Sequence, residues 1–304
     1  MEKGSPGGGR SVTLEAVTPT PAPPVRRLTL ADLPACLDLA ADRGWPPEEH
    51  KWRLLLSAGQ GYGLDAPPGD GGGLIASAVV TSYAGTCHCV SMVLGAARHA
   101  GRGLGRLLMR HVVAECAPAT TFLTATDNGR PLYEQLGFKA VGAVTLLRGR
   151  FTGDVPGAGT DAAVRPATAA DLPDVLALDR PVFGADRTGL LARLPSFADQ
   201  FLVARAPDGR LAGYAAAWPN LTTTVVGPVC ADDTATAQAL IARLGSNAPL
   251  PLRFDADDRH PDLAAWLRAN GLTGTSRFTL MVLNAPDIPG DFTRRFAPYS
   301  VALG

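Results

Sequence analysis

"HAGRGLGRLLMRHVVAEC", residues 99–116, runs a glycine-rich turn into an apolar-periodic helix. Gly101, Gly103 and Gly105 stand where the chain turns, with Arg102 and Arg106 beside them. The first N–H groups of a helix have no acceptor inside it, and the helix dipole adds roughly half a positive charge there. Such a start suits an anion, phosphate above all. A dinucleotide fingerprint, Gly-x-Gly-x-x-Gly, fails here because its last position is Arg106, or Leu108 when counted from Gly103. The phosphate loop of nucleotide hydrolases needs Gly-Lys-Ser/Thr, which is absent. Two readings of the stretch stand at this point, a pyrophosphate cradle and a plain glycine turn before an ordinary helix.

The chain has 304 residues, 46% of them apolar, enough for two domains with packed cores. Lys plus Arg number 28 and Asp plus Glu number 28, so no global field draws the chain to nucleic acid or to a membrane. No apolar run reaches the roughly 18 residues a membrane helix needs, and "MEKGSPGGGR" lacks the apolar centre of a signal peptide. The expectation is a cytoplasmic protein. Five scattered cysteines argue against a disulfide framework. Cys87-His88-Cys89 has no second ligand pair nearby to complete a four-coordinate zinc site, so no metal is expected.

The chain repeats itself. "VRRLTLADLPACLDL" begins at Val25 and "VRPATAADLPDVLAL" at Val164, and nine of the fifteen positions agree. Each copy reads as a short strand, a Thr/Asp helix start with Pro in the first turn, and an apolar-periodic helix. Residues 1–24 read as a disordered tail and 151–163 as a linker, both rich in small residues and Pro. Between and after them lie two copies of one domain, 25–150 and 164–304. In the first copy, residues 71–84, 86–94 and 120–126 read as strands and 129–138 as a short helix ended by Gly137. The class is α+β (α/β), a mixed sheet flanked by helices in each half.

Loop, repeated start and "LYEQLGF" at 132–138 together resemble the Gcn5-related N-acetyltransferase (GNAT) family. "FGADRTGLLARL", "GRLAGYAAAW" and the final "ALG" are similar to tandem GNAT proteins whose C-terminal half is a YitH-type acetyltransferase-like domain. The resemblance implies two tandem GNAT folds, acetyl-CoA or another acyl-CoA as co-substrate, and a single coenzyme site in the first half. It assigns that site to Val93, Leu94, Gly95, Gly101, Arg102, Gly103, Leu104, Gly105, Arg106, Thr126, Asn128 and Tyr133. The second copy has no glycine at the equivalent helix start, where Asp232 and Asp233 would repel pyrophosphate. The first copy departs from the family pattern at Ala100, where Arg or Gln is usual, at Gly95 and Ala97, where Val and Pro are usual, and at Thr126, where Asn is usual.

The chemistry implied is direct transfer from the thioester to a small-molecule amine in a ternary complex. Backbone donors around residues 92–95 would face the acyl oxygen. Tyr133 is either the acid that protonates the leaving thiolate or an aromatic packing its helix on the sheet. Asp127 reads as a cap of the following helix or as a base, and His88 as a satisfied sheet histidine or as a base. Phe183, Arg187, Tyr214 and Trp218 are candidates to line an acceptor pocket between the halves, or else core residues of the second. Two further functions stay open, another reaction of an acyl thioester and coenzyme binding without turnover.

Overall fold

The computed structural model describes Met1, residues 23–154 and residues 163–304. Residues 2–22 of the expected tail and 155–162 of the expected linker fall outside these described residues, and Ala163, expected in the linker, opens a strand. The first half runs β1 (Arg26–Leu28), α1 (Leu33–Asp42), α2 (Glu49–Ala58), β2 (Gln60–Asp65), β3 (Leu74–Tyr83), β4 (Cys87–Gly95), α3 (Leu104–Cys116), β5 (Thr120–Ala125), α4 (Arg130–Gln135) and β6 (Lys139–Gly149). The second runs β7 (Ala163–Pro166), α5 (Leu172–Phe183), α6 (Thr188–Leu191), α7 (Leu194–Phe197), β8 (Gln200–Arg205), β9 (Leu211–Pro219), β10 (Thr224–Ala231), α8 (Thr234–Ser246), β11 (Leu252–Asp257), α9 (Pro261–Ala269), β12 (Thr273–Leu283) and β13 (Arg295–Ala297).

The repeated Thr-x-x-Asp works as a capping box in both copies. Thr29 N–H donates to Asp32 Oδ2 at 2.8 Å, and Thr168 N–H donates to Asp171 Oδ2 at 2.8 Å. Pro34 and Pro173 then occupy the first helical turn, where a missing N–H costs nothing.

All the strands join one sheet in the order β1-β2-β3-β4-β5-β12-β6-β11-β10-β9-β8-β7, with β13 paired to β10. Ladders are antiparallel except β4–β5 and β10–β11, so each half is a mixed sheet. The halves exchange their long last strands. β12 of the second half pairs with β5 of the first, Thr279 opposite Ala125, and β6 of the first pairs with β11 of the second, Leu252 opposite Gly149. Without the exchange β5 and β11 would end their sheets as open edges. One apolar core accordingly spans both halves, from Trp52 and Tyr62 to Phe183, Tyr214 and Tyr299. No helix among the described residues is long and apolar enough to cross a membrane.

Candidate active site

β4 carries one residue more than β3 across its middle, since Ser77 faces Leu94 while Val79 faces Ser91. Met92 takes up the extra length at φ +50, and its carbonyl accepts from Ser77 Oγ at 2.9 Å. β4 and β5 pair only from Cys87–Thr120 to Val90–Leu123, then part. Beyond Val90 the edge of β4 that turns toward β5 is unpaired, and Val93, Leu94 and Gly95 lie on it.

The glycine loop follows directly. Gly103 is the N-cap of α3 at φ +76, ψ 10, and Gly101 sits at φ +79. Both are left-handed conformations that glycine adopts without a Cβ penalty. A Cβ at either position would meet nothing within 4 Å, so the space over the loop is open. The N–H groups of Gly103, Leu104, Gly105 and Arg106 donate to no acceptor among the described residues. The helix begins only at Leu104, after Gly103 has turned left-handed. Arg102 lies 3.6 Å from Asp70 of the β2–β3 loop, and Arg106 bonds Gln135 of α4. Gly105 faces Leu132 of α4, so cradle and α4 adjoin.

Tyr133 on α4 is buried, with its ring centroid 6.1 Å from that of Phe138. Burial pushes its phenol up to about 12, so it keeps its proton. The ring also lies against the α-carbon of Gly129, where a Cβ would come within 3.1 Å of Tyr133 Cε2. Asp127 does not cap α4. The N-cap is Gly129, and Thr126 Oγ1 closes the turn by accepting from Gly129 N–H at 3.2 Å. Asp127 lies exposed at the rim of a cleft of about 650 Å³ that it shares with Thr126, Asn128 and, from the second half, Thr275–Thr279.

His88 is not beside these residues. It pairs with Thr121 and lies opposite Ser82, four residues ahead of Met92. At about 3.3 Å per residue that is roughly 13 Å along the strand. Burial lowers its pKa, and its Nδ1 has no partner among the described residues. Of the four expected acceptor-pocket residues, Phe183, Tyr214 and Trp218 are core residues, and Arg187, though buried, borders a cavity of about 340 Å³ between the halves with Thr81, Ser82 and Asp186. Phe183, Arg187, Tyr214 and Trp218 are each at most 2% exposed. Arg187 is locked by Asp179 at 2.9 and 2.7 Å, and Tyr214 donates to the same carboxylate. The Arg187 guanidinium also donates to the Gly304 carbonyl at 3.0 Å and to the Tyr214 hydroxyl at 3.3 Å, so most of its donors are taken within the chain. The contribution of Thr275–Thr279 was not expected from sequence. "TGTSRFTLMVL" reads as a strand, but only the exchange of β12 brings it against β5.

In the second half the equivalent opening is closed. β10 and β11 are paired only from Thr224–Leu252 to Val226–Phe254, and β13 then lies against β10, with Ala297 opposite Val229 and Arg295 opposite Cys230. Asp233 caps α8 by accepting from Thr236 N–H at 2.7 Å, and Asp232 is held by Arg210 and Arg294.

Comparison with known proteins agrees with this geometry. The profile of an acetyltransferase (GNAT) domain matches residues 74–149, and that of a second acetyltransferase (GNAT) domain family matches residues 175–297. The chain is 29% identical over 233 residues to the uncharacterized N-acetyltransferase YitH of Bacillus subtilis (strain 168), covering 75% of this chain and 79% of YitH. Its fold is similar to that of a Pyrococcus horikoshii protein assigned to the acetyltransferases, with TM-score 0.74 and 14% identity over 97% of this chain and 100% of that one. A tandem GNAT protein from the clavulanic acid biosynthesis pathway aligns with TM-score 0.59 and 15% identity over 87% of this chain and 100% of that one. With an open strand–loop–helix site in one half, a filled one in the other, and a GNAT domain matched in each, the chain belongs to the GNAT acyltransferases as a tandem, YitH-related member.

Proposed function

We propose that the protein transfers an acetyl group from acetyl-CoA to a small-molecule amine, directly, in a ternary complex of the first half. The observation that carries this reading is the run of unpartnered N–H groups from Gly103 to Arg106 at the start of α3, at the open end of the β4–β5 pair. Four convergent donors at a helix N-terminus, under left-handed glycines that leave the space above them empty, fit a pyrophosphate. Arg102 and Arg106 stand at the rim with their charges. The unpaired edge of β4 at Val93–Gly95 fits the amide-bearing arm of the coenzyme, which bonds as an added strand does.

When bound, the coenzyme supplies an activated acyl thioester. The chain's own residues do the rest. Met92, by bulging, turns the backbone of β4 so that its free N–H groups face the gap between β4 and β5, where they stabilise negative charge on an acyl oxygen. Tyr133, next to Gly129 in the turn before α4, holds a proton at its phenolic oxygen across neutral pH and would give it to the departing sulfur as the thioester bond breaks. The acceptor enters by the cleft that Thr126 and Asn128 share with β12. Asp127, exposed on that rim, is the carboxylate placed to take a proton from an incoming ammonium; His88 is not assigned a role.

Thermal unfolding with and without acetyl-CoA tests the reading. A ligand at a hundred times its dissociation constant adds about 2.7 kcal/mol. At roughly 2–4 °C per kcal/mol for a chain of this scale, the midpoint rises by about 5–10 °C. No rise with acetyl-CoA or with coenzyme A sinks the proposal.

A further inference from the structure

The tail that fills the second half's opening carries Arg295 into the space between the halves. Arg295 is 7% exposed, yet its guanidinium has no carboxylate within ion-pair distance and donates no hydrogen bond among the described residues; its Nη1 is fully buried and unpartnered. Two aromatic rings cover its faces, Phe292 at 3.8 Å and Phe183 at 5.4 Å from the guanidinium carbon. Rings on the faces leave the in-plane N–H bonds, the ones that grip a carboxylate in a fork, without a partner. Neighbouring charges do not serve it. Asp257 is turned to Arg259, accepting from its N–H at 2.9 Å and its Nη1 at 3.3 Å, and Asp179 belongs to Arg187.

Arg295 lines a cavity of about 20 Å³ together with Thr124, Leu280 and Ser300, and Asp257, already engaged by Arg259, borders the same cavity. A single oxygen-sized group needs on the order of 10–15 Å³, so the slot has room for the leading oxygen of a small anion beside the guanidinium. Its position matters more than its size. Thr124 is the first residue of β5 past the last one paired to β4, and Leu280 is its direct partner on β12. Thr126 and Phe278, two residues further along the same faces, border the open cleft. Slot and cleft are therefore successive stations on one face of the β5–β12 ladder, roughly 7 Å apart.

We propose that Arg295 binds the carboxylate of the acceptor, so that the substrate class is an amine whose free carboxylate stands several bonds away, roughly 7 Å, as in an ω-amino acid or a close relative. The proposal rests on the acetyl-transfer reading for the amine end. It supplies the reason a buried guanidinium is kept without an internal partner. An uncompensated buried cation is costly to the fold, and burial already pulls this one down to about 10. That cost is met when an anion arrives.

The test uses the full chain and an Arg295→Met variant. Because the wild-type cation has no internal partner, the variant is expected to unfold at the same temperature as wild type or above it; a structural arginine would lower it. Formate, one oxygen of which the slot admits, is expected to raise the wild-type midpoint more than chloride at equal concentration and to leave Arg295→Met unmoved. With acetyl-CoA, free ω-amino acids are expected to exceed their amides in kcat/KM by about 10- to 100-fold, the worth of hydrogen bonds to a charged group. Arg295→Met removes that preference while keeping the same thermal shift with acetyl-CoA. Equal use of acids and amides, a preference that survives in Arg295→Met, chloride matching formate, or no effect of any carboxylate overturns the proposal. Absence of the acetyl-CoA shift in both proteins refutes the transfer reading separately, and the formate arm does not depend on it.

Discussion

Replacing Gly103 with alanine separates a structural role of the glycine loop from a binding one. Gly103 sits at φ +76, ψ 10, where an L-residue costs roughly 1–2 kcal/mol. The new methyl meets nothing within 4 Å, so no packing clash adds to that strain. At about 2–4 °C per kcal/mol the midpoint falls by roughly 2–8 °C. Gly209 is the matched control, at φ +84 in the β8–β9 turn of the second half with the same open surroundings. Gly209→Ala should cost the same stability. The two variants part company on acetyl-CoA. On the coenzyme reading the open space over Gly103 is where pyrophosphate lies, so the methyl displaces it from the donors of Leu104, Gly105 and Arg106, and losing even one charge-assisted hydrogen bond there costs about 1.5–3 kcal/mol of affinity. That is more than tenfold, so a stabilisation of about 2.7 kcal/mol at a hundred times the wild-type dissociation constant drops below about 1.4 kcal/mol. In Gly209→Ala the full shift remains. If Gly103→Ala loses the same few degrees but keeps the full acetyl-CoA shift, the loop is only a turn and the cradle argument is wrong.

Tyr133→Phe should leave the acetyl-CoA thermal shift intact and lower kcat by about a hundredfold, the low end for a positioned acid. Because burial raises the phenol to about 12, the donor form persists across neutral pH and is lost only as pH climbs through that value. A kcat–pH profile whose alkaline limb moves in Tyr133→Phe near pH 8 would contradict this assignment. Arg187→Met should act on the fold and not on the acceptor. It strands the Asp179 carboxylate, 2% exposed, for a loss of about 3–5 kcal/mol seen in denaturant titration, with KM for the acceptor unchanged in the surviving native protein. A raised KM with normal stability would restore Arg187 to the acceptor site.

The half of the site proposed for the coenzyme was legible as a left-handed glycine turn and a bare helix start because local rules govern both. Glycine at 101 and 103 is needed for the left-handed turn, the turn exposes the helix start, and a helix start seeks an anion; each step stays within a few residues. The repeated Thr-x-x-Asp was legible for the same reason, being a capping box in both copies. The acceptor half was not, because it depends on pairing across the chain. Nothing local in "TGTSRFTLMVL" says that it leaves its own half to lie beside β5, and nothing in "RRFAP" says that Arg295 ends in a slot next to Thr124. Arg187 and Tyr214 read equally as lining residues of a pocket between the halves or as core residues of the second. The second half buries them as an ion pair with a phenol, a pattern set by Asp179 one helix away. Asp127 missed its cap by one position of turn geometry, which Thr126 fills.

The two copies show how a duplicated site comes to divide its labour. Both halves keep the parting of a parallel strand pair, β4 from β5 and β10 from β11. In the first, the gap stays open and the helix beyond it begins with bare N–H groups. In the second, Asp233 supplies the cap that an anion would have supplied, and β13 pairs with β10 where an extended ligand would lie. Filling that gap does more than retire a site. It fixes the course of the chain that follows, whose residues Tyr299 to Leu303 run into the core, where Tyr83 and Cys89 of the first half donate to the carbonyls of Leu303 and Ala302. The same strand delivers Arg295 to the β5–β12 ladder. On the proposed reading the filled gap of the second half is thus the support for the wall of the first half's site, and the exchanged strands β6 and β12 make the halves a single sheet that holds that wall in register.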